Sequence, residues 1–175
     1  AVAVASALAL TGCSSSGDSA SKELNIAMVS KGFQHQFWQA VQKGAENAAT
    51  ELGVKITFEG PESESQVDKQ LEMLQAAIDR KVDAIGYASL DPKAPLPLLA
   101  KAKEGNIPVY MFDAAAGDEK DLGAEGPAMG IARTDGEAAA ALAADEMAKL
   151  IGGKGKVFVI VHSQTNATGV QRRDG

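Results

Sequence analysis

Six short apolar runs, separated by stretches with helical spacing, are the feature that most constrains the fold of this chain. From Leu24 onwards the runs are "LNIAMVS", "VKITFE", "DAIGYAS", "IPVYMF", "MGIART" and "KVFVIVH". Apolar residues recur at helical spacing from Phe37 to Leu52, and again from Val67 to Ile78. Apolar strands that alternate with helices indicate a parallel sheet covered on both faces. The sequence therefore predicts an α/β fold with a doubly wound parallel sheet.

Residues that end or begin helices lie between these runs. Gly53 and Gly105 stand where two helices should stop, and Asp91 followed by Pro92 is typical of an N-cap and a first helical position. The stretch "GGKGK" follows a helix predicted over 136–151 and precedes an apolar run. A phosphate-binding loop must instead follow a strand and open a helix. We therefore interpret "GGKGK" as a turn at the C-terminus of a helix.

The first 22 residues differ from the rest in composition. The opening "AVAVASALAL" is apolar, too short to span a bilayer, and typical of the end of a signal peptide. "LTGC", ending at Cys13, resembles the bacterial lipobox, in which the cysteine is acylated, and a Ser-rich polar tether follows it. Cys13 is the only cysteine, which excludes an internal disulfide. We expect Cys13 to carry a lipid anchor.

Aromatic residues are concentrated in the loop after the first run, "GFQHQFW". Ligands of parallel sheets bind beyond the carboxyl ends of the strands, and this loop lacks the glycine pattern that holds a dinucleotide. Phe37 and Trp38, with His35 beside them, suit a sugar, whose ring offers apolar faces and a rim of hydroxyls. Either aromatic residue can instead belong to the core, and His35 can be a helix cap.

Charged residues follow two later runs, and two arginines lie on the chain's last predicted helix. Asp113 ends the fourth run and can accept two hydroxyl hydrogen bonds, or serve in a turn. A phosphoacceptor Asp would need acidic residues after the first run, where "SKG" has none. Arg172 or Arg173, on a helix beginning near Thr168, can donate to hydroxyls or lie on a solvated face. Asp135 is a site residue or the cap of the following helix.

The charge pattern limits the class of partner. The formal net charge is −6, and no cluster of Lys and Arg is present, so nucleic acid is not expected as a partner. No coherent set of nucleophile and base is visible, so we expect neither an enzyme nor a cofactor.

The order and spacing of several segments resemble the periplasmic sugar-binding proteins of ABC importers, of the ribose and galactose type. These share their fold with the effector domains of LacI-like repressors. The resemblance covers residues 23–175 and is carried by "HQFW", "GPESESQVDKQLEMLQAAIDRKVDAI", "IPVYMFD", "RTDGEAAAALAADEMAKLIGGKGKV" and "NATGVQRRDG". It implies two sheets joined by three hinge strands, with a sugar closed between them. By this resemblance 23–134 is the first lobe and 135–175 the start of a truncated second lobe, so we interpret the chain as an N-terminal fragment.

The resemblance also implies roles for individual residues. Gln36 and Gly136 stand where the family often has Pro and Asn. The implied sugar-binding residues are His35, Phe37, Trp38, Asp113 and Arg172, with Thr134 and Asp135 at the first crossing between lobes.

The leading hypothesis is a lipid-anchored, monomeric receptor outside the cytoplasmic membrane. It would capture a monosaccharide and deliver it to the permease subunits of an ABC importer. The alternatives are the effector domain of a LacI-like regulator, an α/β enzyme acting on sugars, and a receptor for another small polar solute such as an amino acid or a signalling molecule.

Overall fold

The computed structural model describes residues 23–175, and its centre is a five-stranded, wholly parallel sheet. The strands are β1 (Asn25–Val29), β2 (Lys55–Glu59), β3 (Ala84–Tyr87), β4 (Val109–Phe112) and β5 (Ile131–Ala132). Their spatial order is β2-β1-β3-β4-β5. The predicted α/β fold with a parallel sheet is confirmed. The order reverses direction between β1 and β3, and such a switch point opens a crevice at the carboxyl ends of the strands.

Five helices and one 3₁₀ turn connect and follow the strands. They are α1 (Gln36–Leu52), α2 (Val67–Asp79), α3 (Leu96–Glu104), the 3₁₀ turn Glu119–Asp121, α4 (Gly136–Leu150) and α5 (Ala167–Asp174). Gly53 ends α1 in the left-handed conformation, with φ of 65°, as expected for a glycine after a helix. None of the helices in this part of the chain is both long and apolar enough to cross a bilayer.

The predicted helix start at Asp91 is wrong. The Asp91 carboxylate accepts hydrogen bonds from the backbone N–H groups of Lys93 and Ala94, both at 2.8 Å, and so closes a turn. The helix begins only at Leu96, with Pro97 in its first turn. An Asp before a proline favours a turn as readily as a cap, since its side chain bonds the backbone two residues on in both cases.

The main core lies between the sheet and the α2–α3 layer. Alternate residues of β1, β3 and β4 face this layer and are buried: Ala27, Val29, Ile85, Tyr87, Val109 and Met111. Helix α1 covers the opposite face, because its Trp38 packs against Phe112, whose side chain points away from that of Met111. Helices therefore lie on both faces, as the near-continuous apolar strands predicted.

A buried glutamine fixes the loops at the switch point. Gln70 of α2 donates to the carbonyls of Ser30, at 2.9 Å, and Ala88, at 2.7 Å. Its amide oxygen accepts from the Tyr87 hydroxyl at 2.8 Å and from Leu90 N–H at 3.0 Å. Burial raises the pKa of Tyr87 above its ordinary value, so the hydroxyl stays a donor. The ends of β1 and β3 are thus held together beneath the crevice.

The sixth apolar run is not a strand, contrary to the prediction. Its side chains are exposed, Phe158 by 88% and Ile160 by 86%. A strand needs a neighbouring backbone for its hydrogen bonds, and no strand among residues 23–175 lies beside this run. Cys13, the expected lipid attachment point, lies outside the described residues.

Candidate functional site

A cavity of about 700 Å³ lies at the carboxyl ends of the strands, between the loops of the sheet and the start of α5. Five of the seven predicted sugar-binding residues line it: His35, Phe37, Trp38, Asp113 and Arg172. Residues from the start of α1, the turn after β4 and helix α5 thus meet at one place although they are far apart in the chain. The rule that ligands bind beyond the carboxyl ends of parallel strands located this cavity.

Lys31 and Asp113 form an ion pair at the base of the cavity. Lys31 follows β1, and its Nζ lies 2.7 Å from Asp113 Oδ2. The lysine side chain is only 3% exposed. A buried charge needs a partner of opposite sign, and Asp113 supplies it. Asp113 has φ of 59°, a left-handed conformation that Asp tolerates better than most residues, and it turns the chain directly after β4.

One oxygen of Asp113 has unused hydrogen-bonding capacity. Oδ2 is buried and takes the Lys31 ammonium at 2.7 Å, and no other described residue donates a hydrogen bond to it. Because each oxygen of an ionised carboxylate has two lone pairs, Oδ2 can accept a second hydrogen bond. A ligand hydroxyl that enters the cavity can supply it.

The two aromatic residues occupy different environments. Trp38 is 3% exposed and forms a buried wall of the cavity, whereas Phe37 is 48% exposed. Their rings meet edge to face, with centroids 4.8 Å apart and planes at 80°. Lys31 Nζ lies 5.8 Å from the centre of the Trp38 ring, within the range of a cation–π contact. One aromatic residue is therefore largely buried and the other is open to the cavity.

His35 is the N-cap of α1 and also lines the cavity. Its Nδ1 accepts a hydrogen bond from Phe37 N–H at 3.1 Å. In a neutral imidazole with Nδ1 as acceptor, the proton resides on Nε2. The cap therefore leaves Nε2–H as the donor that a ligand can use.

The start of α5 supplies the opposite side of the cavity. The Asn166 side chain caps the helix, accepting from Thr168 N–H at 3.0 Å and from the Thr168 hydroxyl at 2.7 Å. Thr168 Oγ1 in turn accepts from Lys31 Nζ at 3.2 Å. Arg172 lies one turn further along the same helix face. No ion pair or hydrogen bond holds its guanidinium among the residues that the structure describes, so it is available to a ligand.

Thr134 and Asp135 are not brought to this cavity. The Asp135 side chain accepts from Ala138 N–H at 3.0 Å and caps α4. The Thr134 carbonyl accepts from Arg133 at 3.1 Å. Of the two arginines of α5, Arg173 pairs with Asp174 at 2.7 Å and lies away from the cavity.

Three charged residues that line the cavity were not among the predicted site residues: Lys31, Glu64 and Asp91, which was interpreted only as a helix cap. Lys31 comes almost directly after the first strand, so its position at a strand end is a sequence signal for it. Glu64 lies in the loop after β2, and its place on the cavity depends on packing between loops. No group of three or more metal-ligating side chains is found among residues 23–175.

A family model described as the periplasmic binding protein domain matches residues 26–175. The chain belongs to the periplasmic binding protein family. In this periplasmic binding protein the cavity lies where the parallel strands of the sheet end.

Relatives of this periplasmic binding protein include two curated proteins. The D-apiose import binding protein of Actinobacillus succinogenes is 26% identical over 145 residues, covering 82% of this chain and 44% of the relative. The D-allose-binding periplasmic protein of Escherichia coli K12 is 26% identical over 150 residues, covering 85% and 48%. The chain thus spans about half the length of the curated relatives it matches.

A solved structure is also similar to this periplasmic binding protein. It is an ABC transporter solute binding protein from Agrobacterium vitis with bound D-fucose, with a TM-score of 0.77 and 37% sequence identity. The match covers 85% of this chain and 50% of that protein.

Proposed function

We propose that this periplasmic binding protein captures a neutral monosaccharide in the cavity between Asp113 and Arg172, without catalysing a reaction. The observation that carries this proposal is the juxtaposition of two groups on one cavity: Asp113, whose Oδ2 takes only the Lys31 ammonium, and Arg172, whose guanidinium is paired with no described residue. A carboxylate accepts from sugar hydroxyls, and an arginine donates to them in a fork. A polyhydroxyl ligand between them can donate a hydrogen bond to Asp113 at one end and accept hydrogen bonds from Arg172 at the other.

The other groups of the cavity fit the same ligand. Trp38 and Phe37 offer apolar surface to the C–H face of a sugar ring, and His35 offers the Nε2–H donor. Because Asp113 already pairs with Lys31, the buried ammonium at the base of the cavity does not require an anionic ligand. The names of the relatives refer to D-apiose, D-allose and D-fucose, which are neutral monosaccharides.

In this proposal residues 23–134 are the first lobe, and 135–175 begin a second lobe that approaches it across the cavity. Thr134 and Asp135 lie at the crossing. A sugar that bonds both lobes binds the closed state better than the open state and so favours closure. The loaded receptor, a monomer anchored by a lipid on Cys13 outside the cytoplasmic membrane, then delivers the sugar to an ABC permease.

Calorimetry on the full-length protein tests the proposal. The panel contains pentoses, hexoses and small polyols, with leucine as a ligand of another class. We expect at least one monosaccharide to bind with micromolar or better affinity, about −8 kcal/mol or more, and leucine not to bind. Asp113→Asn should weaken binding, whereas Asp118→Asn, on an exposed loop paired with Lys120, should not. Leucine binding without sugar binding would refute the proposal.

A further inference from the structure

The loop of residues 60–66, between β2 and α2, brings a carboxylate to the cavity that the sugar proposal does not use. Glu64 Oε1 accepts a hydrogen bond from Trp38 Nε1–H at 3.4 Å. Its other oxygen, Oε2, lies 3.8 Å from Lys31 Nζ. A single side chain therefore contacts both the aromatic wall and the buried cation of the site.

Trp38 needs such a partner. Its ring is 3% exposed, and the indole N–H is the only polar group of the side chain. A buried N–H that lacks an acceptor loses the hydrogen bond it makes to water in the unfolded chain. The contacts with Phe37 and Phe112 are edge to face and apolar, and a hydrogen bond at Nε1 adds a directional constraint on the orientation of the ring.

The loop reaches the tryptophan because two glycines let two backbones approach closely. A Cβ atom at Gly60 would collide with Ser30 Oγ and would lie 2.9 Å from the Gly32 carbonyl oxygen. A Cβ atom at Gly32 would lie 3.3 Å from the Trp38 ring. The loop after β2 is therefore pressed against the loop after β1, directly beside Trp38.

Hydrogen bonds within the loop hold Glu64 in place. Ser63 N–H donates to the Gln66 side chain at 3.1 Å, and Gln66 N–H donates back to the Ser63 carbonyl at 3.0 Å. The Ser63 hydroxyl also lies 2.9 Å from that of Ser65. Glu64 thus lies in a turn that its neighbours' hydrogen bonds hold in place. Its side chain is about 40% exposed and lines the cavity.

Lys31 is shared between two carboxylates. Asp113 is the nearer, at 2.7 Å, and Glu64 Oε2 lies 3.8 Å from the same ammonium. The second negative charge also attracts the ammonium, so Lys31 is held between the two loops and does not depend on Asp113 alone for compensation of its charge.

We propose that Glu64 is a positioning residue of the sugar site, which orients the Trp38 ring through its N–H and shares Lys31 with Asp113. The expected effect on sugar affinity rests on the proposed function. The orientation of Trp38 can be measured without any sugar.

The first test uses the fluorescence of Trp38 in the sugar-free, full-length protein. Emission and acrylamide quenching are measured for wild type, Glu64→Ala and Glu64→Gln, each as a difference from the same protein carrying Trp38→Phe. We expect Glu64→Ala to shift the emission and to increase quenching about twofold, because the indole loses its acceptor. Glu64→Gln keeps an amide oxygen as acceptor and should resemble wild type. The control is Glu62→Ala, an exposed carboxylate of the same loop.

The second test is the affinity for the best monosaccharide of the panel. Glu64→Ala should raise Kd about tenfold, and Glu64→Gln should recover most of that loss. Unchanged emission in Glu64→Ala, a Glu64→Gln variant as impaired as Glu64→Ala, or a shifted emission with unchanged Kd would each overturn the inference. A wild type that binds no sugar would refute the proposed function instead, while the sugar-free emission would still decide whether Glu64 orients Trp38.

Discussion

Lys31 Nζ lies 2.7 Å from Asp113 Oδ2, and this pair joins the carboxyl ends of β1 and β4, two strands separated in the sheet by β3. The lysine also donates to Thr168 on α5 at 3.2 Å. The pair thus stands at the point where the sheet and α5 meet, and it fixes the side chain that we propose as the main hydroxyl acceptor.

Substitutions of Lys31 and Asp113 should have non-additive effects on the free energy of unfolding. Lys31→Met leaves the Asp113 carboxylate without its buried partner, and we expect it to lower the free energy of unfolding by about 3 kcal/mol. Lys31→Met combined with Asp113→Asn removes both charges and should recover most of that loss. Urea unfolding of the two single variants and the double variant measures the coupling. Losses that simply add would argue against a compensated pair.

The close contact at Gly60 should not tolerate a side chain. We expect Gly60→Ala to destabilise the protein by about 1 to 3 kcal/mol, because the new Cβ meets Ser30 and Gly32. Gly44→Ala is the matched control, since Gly44 is inside α1, where an added methyl group would meet no atom within 4 Å. That variant should stabilise by about 0.5 to 1 kcal/mol. Thermal unfolding of both variants gives the comparison, and a Gly60→Ala protein as stable as wild type would contradict the packing described.

Substitutions of Trp38 and Phe37 should differ in their effects on protein stability and on sugar affinity. Trp38→Ala should weaken sugar binding by roughly 1 to 3 kcal/mol and also lower stability, because the ring is buried. Phe37→Ala should weaken binding with a smaller effect on stability, since about half of its surface is already exposed. Calorimetry and thermal unfolding on each variant distinguish the two effects. Equal stability losses in both variants would show that Phe37 is a core residue.

The fold was largely predictable because burial leaves a strong pattern in parallel strands. The runs ending at Val29, Tyr87 and Phe112 are apolar on both faces since helices cover both. The run around Phe158 has the same pattern, yet it is no strand here, because pairing depends on a neighbour that an apolar pattern does not specify. An apolar pattern thus identifies a segment that can form a buried strand, but its burial and its pairing both depend on neighbours elsewhere in the chain.

The site was predictable only in part. Asp113 directly follows β4 and the aromatic pair begins the helix after β1, so the strand-end rule pointed to both. Glu64 contacts Trp38 across 26 positions, and Lys31 contacts Thr168 across 137. Such contacts arise from how loops pack, as at Gly60 and Gly32, and no local spacing encodes them.

The lipid anchor is tested at Cys13. In a bacterial strain that processes lipoproteins, wild-type protein should partition into detergent from the membrane fraction, since "LTGC" is followed by a polar tether. Cys13→Ser should release it into the aqueous phase, whereas Ser14→Ala, in the tether, should leave partitioning unchanged. Equal solubility of wild type and Cys13→Ser would mean that the protein is not acylated at Cys13.

The central claim is that one sugar is held between Asp113 and Arg172, and small-angle scattering with and without sugar tests it most directly. The samples are full-length wild type, Asp113→Asn, Arg172→Ala, and Arg173→Ala as the control, because Arg173 pairs with Asp174 away from the cavity. Wild type and Arg173→Ala should become more compact at saturating sugar. Asp113→Asn and Arg172→Ala should lose affinity and compaction together. A wild type that binds sugar without compaction, or Asp113→Asn and Arg172→Ala proteins that bind and compact normally, would contradict the account.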